Sequence, residues 1–233
     1  IITPVKDSID LTLQTIESIK ASVCTVPTRY TVYNDNSTPE NTARLTQAAE
    51  QMGFELVNIS DITDHPSPNY LLVLQMAQQR AIEAEAGLAI VESDVVVKPH
   101  TLQALFDGAE ARPQCGIAAA VTVDEQEQIN YPYLYAKGKE NQVYPEKKHV
   151  SFCCSLLTLS FLKAFDFHQL DPSKNWHDVT ISHRSIELGF TNYLFTTLTV
   201  LHRPHSSRPW KLLKYTNPWK YYWLKFTKGL DKI

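Results

Sequence analysis

The sequence predicts an α/β protein with a mostly parallel central sheet and helices on both faces, and three observations carry that expectation. Short apolar runs alternate strictly with helix-spaced segments through the first half of the chain, the order that gives parallel strands joined by crossover helices. One of those runs, Leu88 to Val91, ends on Glu92, Ser93 and Asp94 before Val95 to Val97 resume it, so two carboxylates sit where a buried strand should stop. The chain has 233 residues, is 43% hydrophobic and contains 7 glycines, which suits one sizeable core without a low-complexity linker.

Ile1 to Val5 reads as the first strand. A polar turn over Lys6 to Asp10 leads to a helix from Leu11 to Ser22, in which Leu13, Ile16, Ile19 and Val23 recur at helical spacing. Tyr30 to Tyr33 is the second strand and runs into Asn34-Asp35-Asn36-Ser37. Pro39 suits a first helical position and Ser37 with Glu40 has capping-box spacing, so a helix should run to Met52. Phe54 to Ile59 is a third strand. A polar stretch from Asp61 to Asn69, with Pro66 and Pro68, precedes an amphipathic helix from Tyr70 to Ala86. Pro99 opens a helix to Glu110, and Gly116 to Val123 is the next strand.

After Val123 the pattern changes. Asp124 to Val150 is polar and carries Tyr131, Tyr133, Tyr135 and Tyr144 with Pro132 and Pro145, which reads as an irregular hairpin or flap, functional or mobile. Ser151 to Leu159 reads as a core strand and Phe161 to Phe165 as a short helix. Trp176 to Leu188 reads as a helix with Gly189 at the left-handed cap position, and Tyr193 to Leu201 as a last strand closing on His202.

The formal charge of -3 hides an asymmetry. From Arg208 onward, Arg208, Lys211, Lys214, Lys220, Lys225, Lys228 and Lys232 face Asp231 alone, so the tail carries +6 and the rest -9. An acidic body with a basic tail argues against a general nucleic-acid binder and for a localised contact made by the tail. We therefore divide the chain into a domain over 1–205 and a basic aromatic tail over 206–233. In that tail Trp210, Tyr215, Trp219, Tyr221, Tyr222, Trp223 and Phe226 interleave with the lysines. The composition suits either an anionic membrane surface or packing on the body or in a homodimer.

Cys24, Cys115, Cys153 and Cys154 lack CxxC spacing, and the adjacent pair lies in the apolar run SFCCSLLTL. They read as small buried hydrophobes of a reducing, cytoplasmic compartment. No apolar run approaches the roughly 20 residues of a membrane span, and IITPV opens inside a strand, so neither a transmembrane helix nor a signal peptide is expected.

Polar residues at element ends form the candidate site: Asp35, Glu92 with Asp94, Asp178, and His202. Ligands of parallel sheets bind outside the carboxyl ends of the strands. Each residue also has a plain structural reading, as turn, solvated loop, helix-dipole partner or buried histidine. His183, Arg184 and Arg203 suit either phosphate contacts or surface salt bridges.

The ordered set TPVKDS, YNDNSTPENT, VESD, NWHDVTISHRSIELGF and VLHRP resembles glycosyltransferase family 2, inverting transferases of the GT-A fold, over nearly the whole body. The resemblance implies one Rossmann-like GT-A domain that moves a sugar from a nucleotide-sugar donor, UDP-linked, to a hydroxyl of a glycan or lipid-linked acceptor. It implies Mg2+ or Mn2+ as cofactor. The cysteines predict a cytoplasmic location, and the membrane reading of the tail would make it peripheral at the inner face of the membrane. Asp35 matches the acid that accepts from the nucleobase, and an ionised carboxylate suits the imide N–H of uracil. Thr3 and Pro4 fall in the stretch that lines the nucleotide sugar. Glu92-Ser93-Asp94 matches the D-x-D that holds a cation on the diphosphate, with Glu in place of the first acid. Asp178 matches the general base of an ED motif, with His177 in place of Glu. His202 stands where some members place a histidine ligand. A sugar nucleotidyltransferase would need a glycine-rich first loop, and Thr3 to Asp10 contains no glycine. A weakly catalytic or inactive nucleotide- or glycan-binding relative remains open, because Glu92 and His177 replace expected acids.

Overall fold

The computed structural model describes residues 1–203, 213 and 217–228. Its strands are β1 (Ile2–Val5), β2 (Thr31–Asn34), β3 (Glu55–Asn58), β4 (Leu88–Val91), β5 (Val95–Val96), β6 (Cys115–Val123), β7 (Val143–Pro145), β8 (Cys154–Leu157) and β9 (Thr191–His202). Its helices are α1 (Ile9–Lys20), α2 (Pro39–Met52), α3 (Tyr70–Glu83), α4 (Thr101–Glu110), α5 (Leu159–Ala164), α6 (His177–Glu187) and α7 (Pro218–Lys228).

The strands form one sheet in the order β3-β2-β1-β4-β8-β6-β9-β5, with β7 added on β9. The parallel pairing expected from the alternation holds along β3-β2-β1-β4 and again between β6 and β9. Between these two parallel blocks β8 runs antiparallel to both β4 and β6. Side chains alternate across the sheet with the period of two that a strand dictates. Ile90 and Ile117 enter the core under α3, α5 and α6, whereas Ala89, Val91 and Ala118 face α4 and the end of α1. Val32 packs with Ile16 of α1 and Leu45 of α2 in a third cluster. Helices thus cover both faces, as expected.

Several local expectations change. Val95 and Val96 do not resume β4. The backbone N–H of Val95 donates to the Glu92 carbonyl at 3.1 Å, closing a turn that leaves the strand, and β5 pairs antiparallel with β9 at the opposite edge of the sheet. The cap of α2 is Thr38, whose hydroxyl accepts from the Asn41 N–H, while Ser37 Oγ accepts from the Asp7 N–H. Of the expected strand Ser151 to Leu159, only β8 pairs. Gly189 takes the left-handed conformation, φ 86°, predicted for it.

The stretch 124–150 begins as the irregular hairpin that is one of its two readings, and it is tied down. Ile129 bridges to Val123 and β7 pairs with β9. Tyr133 is buried, its hydroxyl accepting from the Ser151 N–H at 2.9 Å. A phenol that fills the core and spends its hydroxyl on the backbone anchors the loop. No helix among the described residues is long and apolar enough to cross a membrane. Of the tail, Trp210, Tyr215, Arg208, Lys211, Lys214, Asp231 and Lys232 lie outside the described residues.

Candidate active site

The candidate site lies at the carboxyl ends of β2, β1 and β4, where a parallel sheet forms its ligand crevice. Register places Ile90 beside Ile2 and Ile2 beside Thr31, so Asp35 and Glu92 both follow their strands at the same edge. They are separated by β1, two inter-strand spacings across and two residues along, about 12 Å between backbones.

Asp35 continues the β1–β2 ladder through its N–H, which donates to Val5. Its carboxylate is buried and draws in the loop before α3. Ser67 Oγ and the Asn69 N–H donate to Oδ2 at 2.7 and 2.8 Å, and Asn69 Nδ2 donates to Oδ1 at 2.8 Å. Three donors on about four lone-pair sites leave room for one more. Beside it, the β1–α1 turn puts Asp7 and Ser8 at φ 54° and 50°, a left-handed conformation that costs non-glycine residues energy and recurs at ligand clamps. The Thr38 N–H and the Asn41 amide both donate to Asp7 Oδ1 and hold its carboxyl below the usual range. The two loops flanking Asp35 are therefore knitted together, a role for Asp7 that sequence reasoning missed.

The other end of the crevice is built by pairing distant segments. Val91 lies opposite Cys154, and the Glu92 N–H donates to the Cys153 carbonyl at 2.9 Å, which carries the β4–β8 ladder one residue further. Residues opposite each other in an antiparallel pair present their side chains on one face. Cys153 Sγ accordingly donates to Glu92 Oε2 at 3.2 Å. Cys153, expected as inert core, is thus part of the site. The signal available in the sequence was only that it could face the end of β4, and that depends on register.

His202 arrives from the far side. The register of β9 against β6 jumps between Ala120 and Val121, whose partners are Phe195 and Thr199, so an extra stretch of β9 bends the strand. Its end pairs with β5, Val95 opposite His202, and the Arg203 N–H donates to the Asp94 carbonyl at 3.0 Å. His202 Nδ1 lies 2.7 Å from the Tyr131 carbonyl and Nε2 3.5 Å from Asp94 Oδ2. A ring fixed by a carbonyl on one nitrogen presents the other to a partner, the usual support for a metal-ligating imidazole. The 124–150 stretch therefore orients His202. Ligand atoms of Glu92, Cys153 and His202 lie within 4.8 Å of one another. With Asp94 Oδ2 3.5 Å from the same imidazole, carboxylate, imidazole and thiol groups together offer a donor set for a divalent cation, and imidazole favours Mn2+ over Mg2+.

Charge is crowded here. Burial pushes the Glu92 carboxyl up and the neighbouring Asp94 charge adds to it, against the opposing pull of His202 and the Cys153 hydrogen bond. Burial lowers the His202 imidazole, but Asp94, Glu92 and the Tyr131 carbonyl outweigh it and leave it raised.

Asp178 opens α6, its Oδ1 accepting from the Val179 N–H at 2.9 Å, so it serves the helix start as well. Gly116 lets α6 approach the sheet, since a Cβ there would collide with Ser185 Oγ. From this position the Asp178 charge reaches Glu92 and raises its carboxyl further. Tyr70, at the start of α3, belongs to the same cluster. Burial, then Glu92, Asp178 and Cys153, push its phenol well above the usual value. Its ring lies 6.2 Å from that of His177. The Tyr70 hydroxyl and His177 Nδ1 are buried without a protein hydrogen-bond partner among the described residues.

The other expected contacts are placed variously. Thr3 is fully buried and its hydroxyl accepts from Tyr30 at 2.9 Å, so its side chain is not available to a nucleotide; Pro4 is half-buried one residue nearer the edge. Ser93 is buried in the turn between the two acids. Arg184 pairs with Glu187 and Arg203 with Glu125, and His183 is exposed, so the surface reading holds for the two arginines.

No family model and no curated protein matches this sequence. Among solved structures it is similar to mannosyltransferase PcManGT from Pyrobaculum calidifontis in complex with GDP-Man and Mn2+, at TM-score 0.64 and 12% identity, over 100% of this chain and 64% of that one. It is similar to GalNAc-T7 with UDP, GalNAc and Mn2+, at TM-score 0.63 and 9% identity, over 86% of this chain and 43% of that one. It is also similar to S. aureus TarS 1-349, at TM-score 0.63 and 14% identity, over 86% of this chain and 59% of that one. The chain spans less than two thirds of the length of each, and it has the α/β fold that these glycosyltransferases share.

Proposed function

We propose that this chain is a cation-dependent glycosyltransferase that moves a sugar from a nucleoside-diphosphate donor to an acceptor hydroxyl with inversion. The observation that carries the reading is the convergence of Glu92, Asp94 and His202 at one edge of the sheet, with Asp35 two strands away and Asp178 within electrostatic reach. Asp35 would accept the imide N–H of a uracil through its remaining lone pair, which favours a UDP-linked donor. Asp94, His202 and Glu92 would hold Mn2+ or Mg2+, with Cys153 donating to Glu92. When bound, the cation neutralises charge that builds on the departing diphosphate. Asp178 would take the proton from the attacking hydroxyl, which requires the acceptor to lie within hydrogen-bond reach of its carboxylate.

Calorimetry with UDP and Mn2+, followed by a donor screen read by mass spectrometry on wild type and Asp178→Asn, tests this. Wild type binds UDP and turns over at least one donor. The variant keeps UDP affinity and loses turnover by about 10²–10⁴-fold. A wild type that binds UDP and turns over no donor would make the chain a nucleotide-binding relative instead.

A further inference from the structure

The helix α7 presents a face that the proposed reaction does not use. Asn217 caps it, its side chain accepting from the Lys220 N–H at 3.1 Å, and Pro218 takes the first helical position. Trp219, Tyr222, Trp223 and Phe226 are spaced i, i+3, i+4 and i+7, and they are 89%, 57%, 63% and 91% exposed. At about 100° per residue these four fall in one stripe about 100° wide. Tyr221, turned away from that stripe, is 5% exposed. The stripe is therefore the most exposed face of the helix, opposite its one buried side chain. Aromatic side chains carry roughly 150–250 Å² each. Four together reach or exceed the roughly 300–600 Å² of the largest apolar patch on a typical monomer.

Charge decides what this face fits. By the same geometry Lys220 and Lys225 lie about 60° beyond either edge of the stripe. The helix carries Lys220, Lys225 and Lys228 and no acidic residue. A second copy meeting it face to face would set lysines against lysines. A bilayer with anionic headgroups would take the aromatic rings at the level of the headgroups and neutralise the flanking lysines. We propose that the Trp219-Tyr222-Trp223-Phe226 face of α7 docks the protein in the plane of an anionic lipid surface. This does not depend on the transferase reading, because its readout is partitioning and not turnover.

Flotation of the full chain with vesicles of phosphatidylcholine and phosphatidylglycerol, against phosphatidylcholine alone, tests it. Wild type should float with the anionic vesicles at least about tenfold more tightly than with neutral ones, with a blue shift in tryptophan emission. Trp219→Ala with Phe226→Ala, and separately Lys220→Glu with Lys225→Glu, should each weaken flotation about tenfold or more. All of these residues except the half-buried Lys225 are exposed, and an unchanged circular-dichroism melt serves as the check that the variants fold. Wild type that stays unbound, or flotation that neither pair of substitutions changes, overturns the proposal. So does a dimer in sedimentation velocity that the aromatic substitutions dissolve.

Discussion

Both ends of the crevice use a carboxylate at the carboxyl end of a parallel strand, yet the two are held in opposite ways. Asp35 is surrounded by neutral donors, Ser67 and Asn69, that the chain itself provides. A ligand adds one bond to an arrangement already satisfied. Glu92 and Asp94 sit beside each other with one imidazole between them and the Asp178 charge nearby. Clustered acids taken from water are costly unless positive charge compensates them. The Asp35 end, proposed for the nucleotide, is complete as it stands, whereas the Glu92–Asp94 end, proposed for the cation, would gain most of its electrostatic balance from one.

The largest effect that separates the two ends is therefore on cation binding. Asp94→Asn and His202→Ala should each lower Mn2+ affinity by about 100-fold or more, at or beyond the 10–100-fold typical for groups that only support a ligand. Electron paramagnetic resonance titration of free Mn2+ measures it. Metal-free UDP binding should persist in both variants, since Asp35 is untouched. Loss of UDP binding together with Mn2+ would erase the distinction between the ends.

Legibility in the sequence follows the same division. The alternation of strands and helices, and the four acids at strand and helix ends, depend on local pattern, and the structure places them where that pattern predicts. What the pattern could not give is register. Cys153 faces Glu92 because β8 inserts antiparallel beside β4, and His202 meets Asp94 because β9 skips from Phe195 to Thr199 along β6. Val95 and Val96 read as a resumed strand because periodicity reports apolar character and not the partner. Tyr70 reads as the first residue of an amphipathic helix, and only the tertiary fold brings its ring to His177.

At the nucleotide end the expected change is smaller. Asp35→Asn removes a charged acceptor worth about 1.5–3 kcal/mol, so UDP affinity should fall roughly 10–100-fold while Mn2+ affinity stays within about twofold. Calorimetry distinguishes this from a loop tie alone, for which UDP affinity would not move.

The pH response sharpens the comparison further. Both Glu92 and His202 are raised in the folded chain, so it holds their protons more tightly than the unfolded chain does. Their contribution is thus fully present below the ordinary values, 4.5 and 6.5, and is lost as pH rises through the folded ones. Without metal, the melting temperature should drop between about pH 5 and 8, by about 2–4 °C for each kcal/mol lost in a chain of this size. Mn2+ must displace the proton on His202, so the stabilisation it gives should grow over the same interval. Scanning fluorimetry with chelator and with Mn2+ reads both slopes. A metal-free chain that becomes more stable toward pH 8 would contradict the crowding of charge at that end.

Cys153→Ser gives the smallest effect on the Mn2+ reaction and the finest test of the cation end. Serine keeps a donor where Sγ now reaches Glu92 Oε2 at 3.2 Å, so turnover with Mn2+ should change by no more than about threefold. The thiol differs from a hydroxyl in softness, which matters to Cd2+ and hardly at all to Mn2+. If the sulfur faces the cation position, Cd2+ should bind wild type on the order of tenfold more tightly than the variant, with a sulfur-to-cadmium absorption band that the variant lacks. Burial keeps the thiol protonated in the metal-free chain, so Cd2+ binding should also release a proton in wild type that Cys153→Ser does not release. Equal Cd2+ affinity and equal proton release would mean that Cys153 only steadies Glu92, and that the cation end is built from oxygen and nitrogen alone.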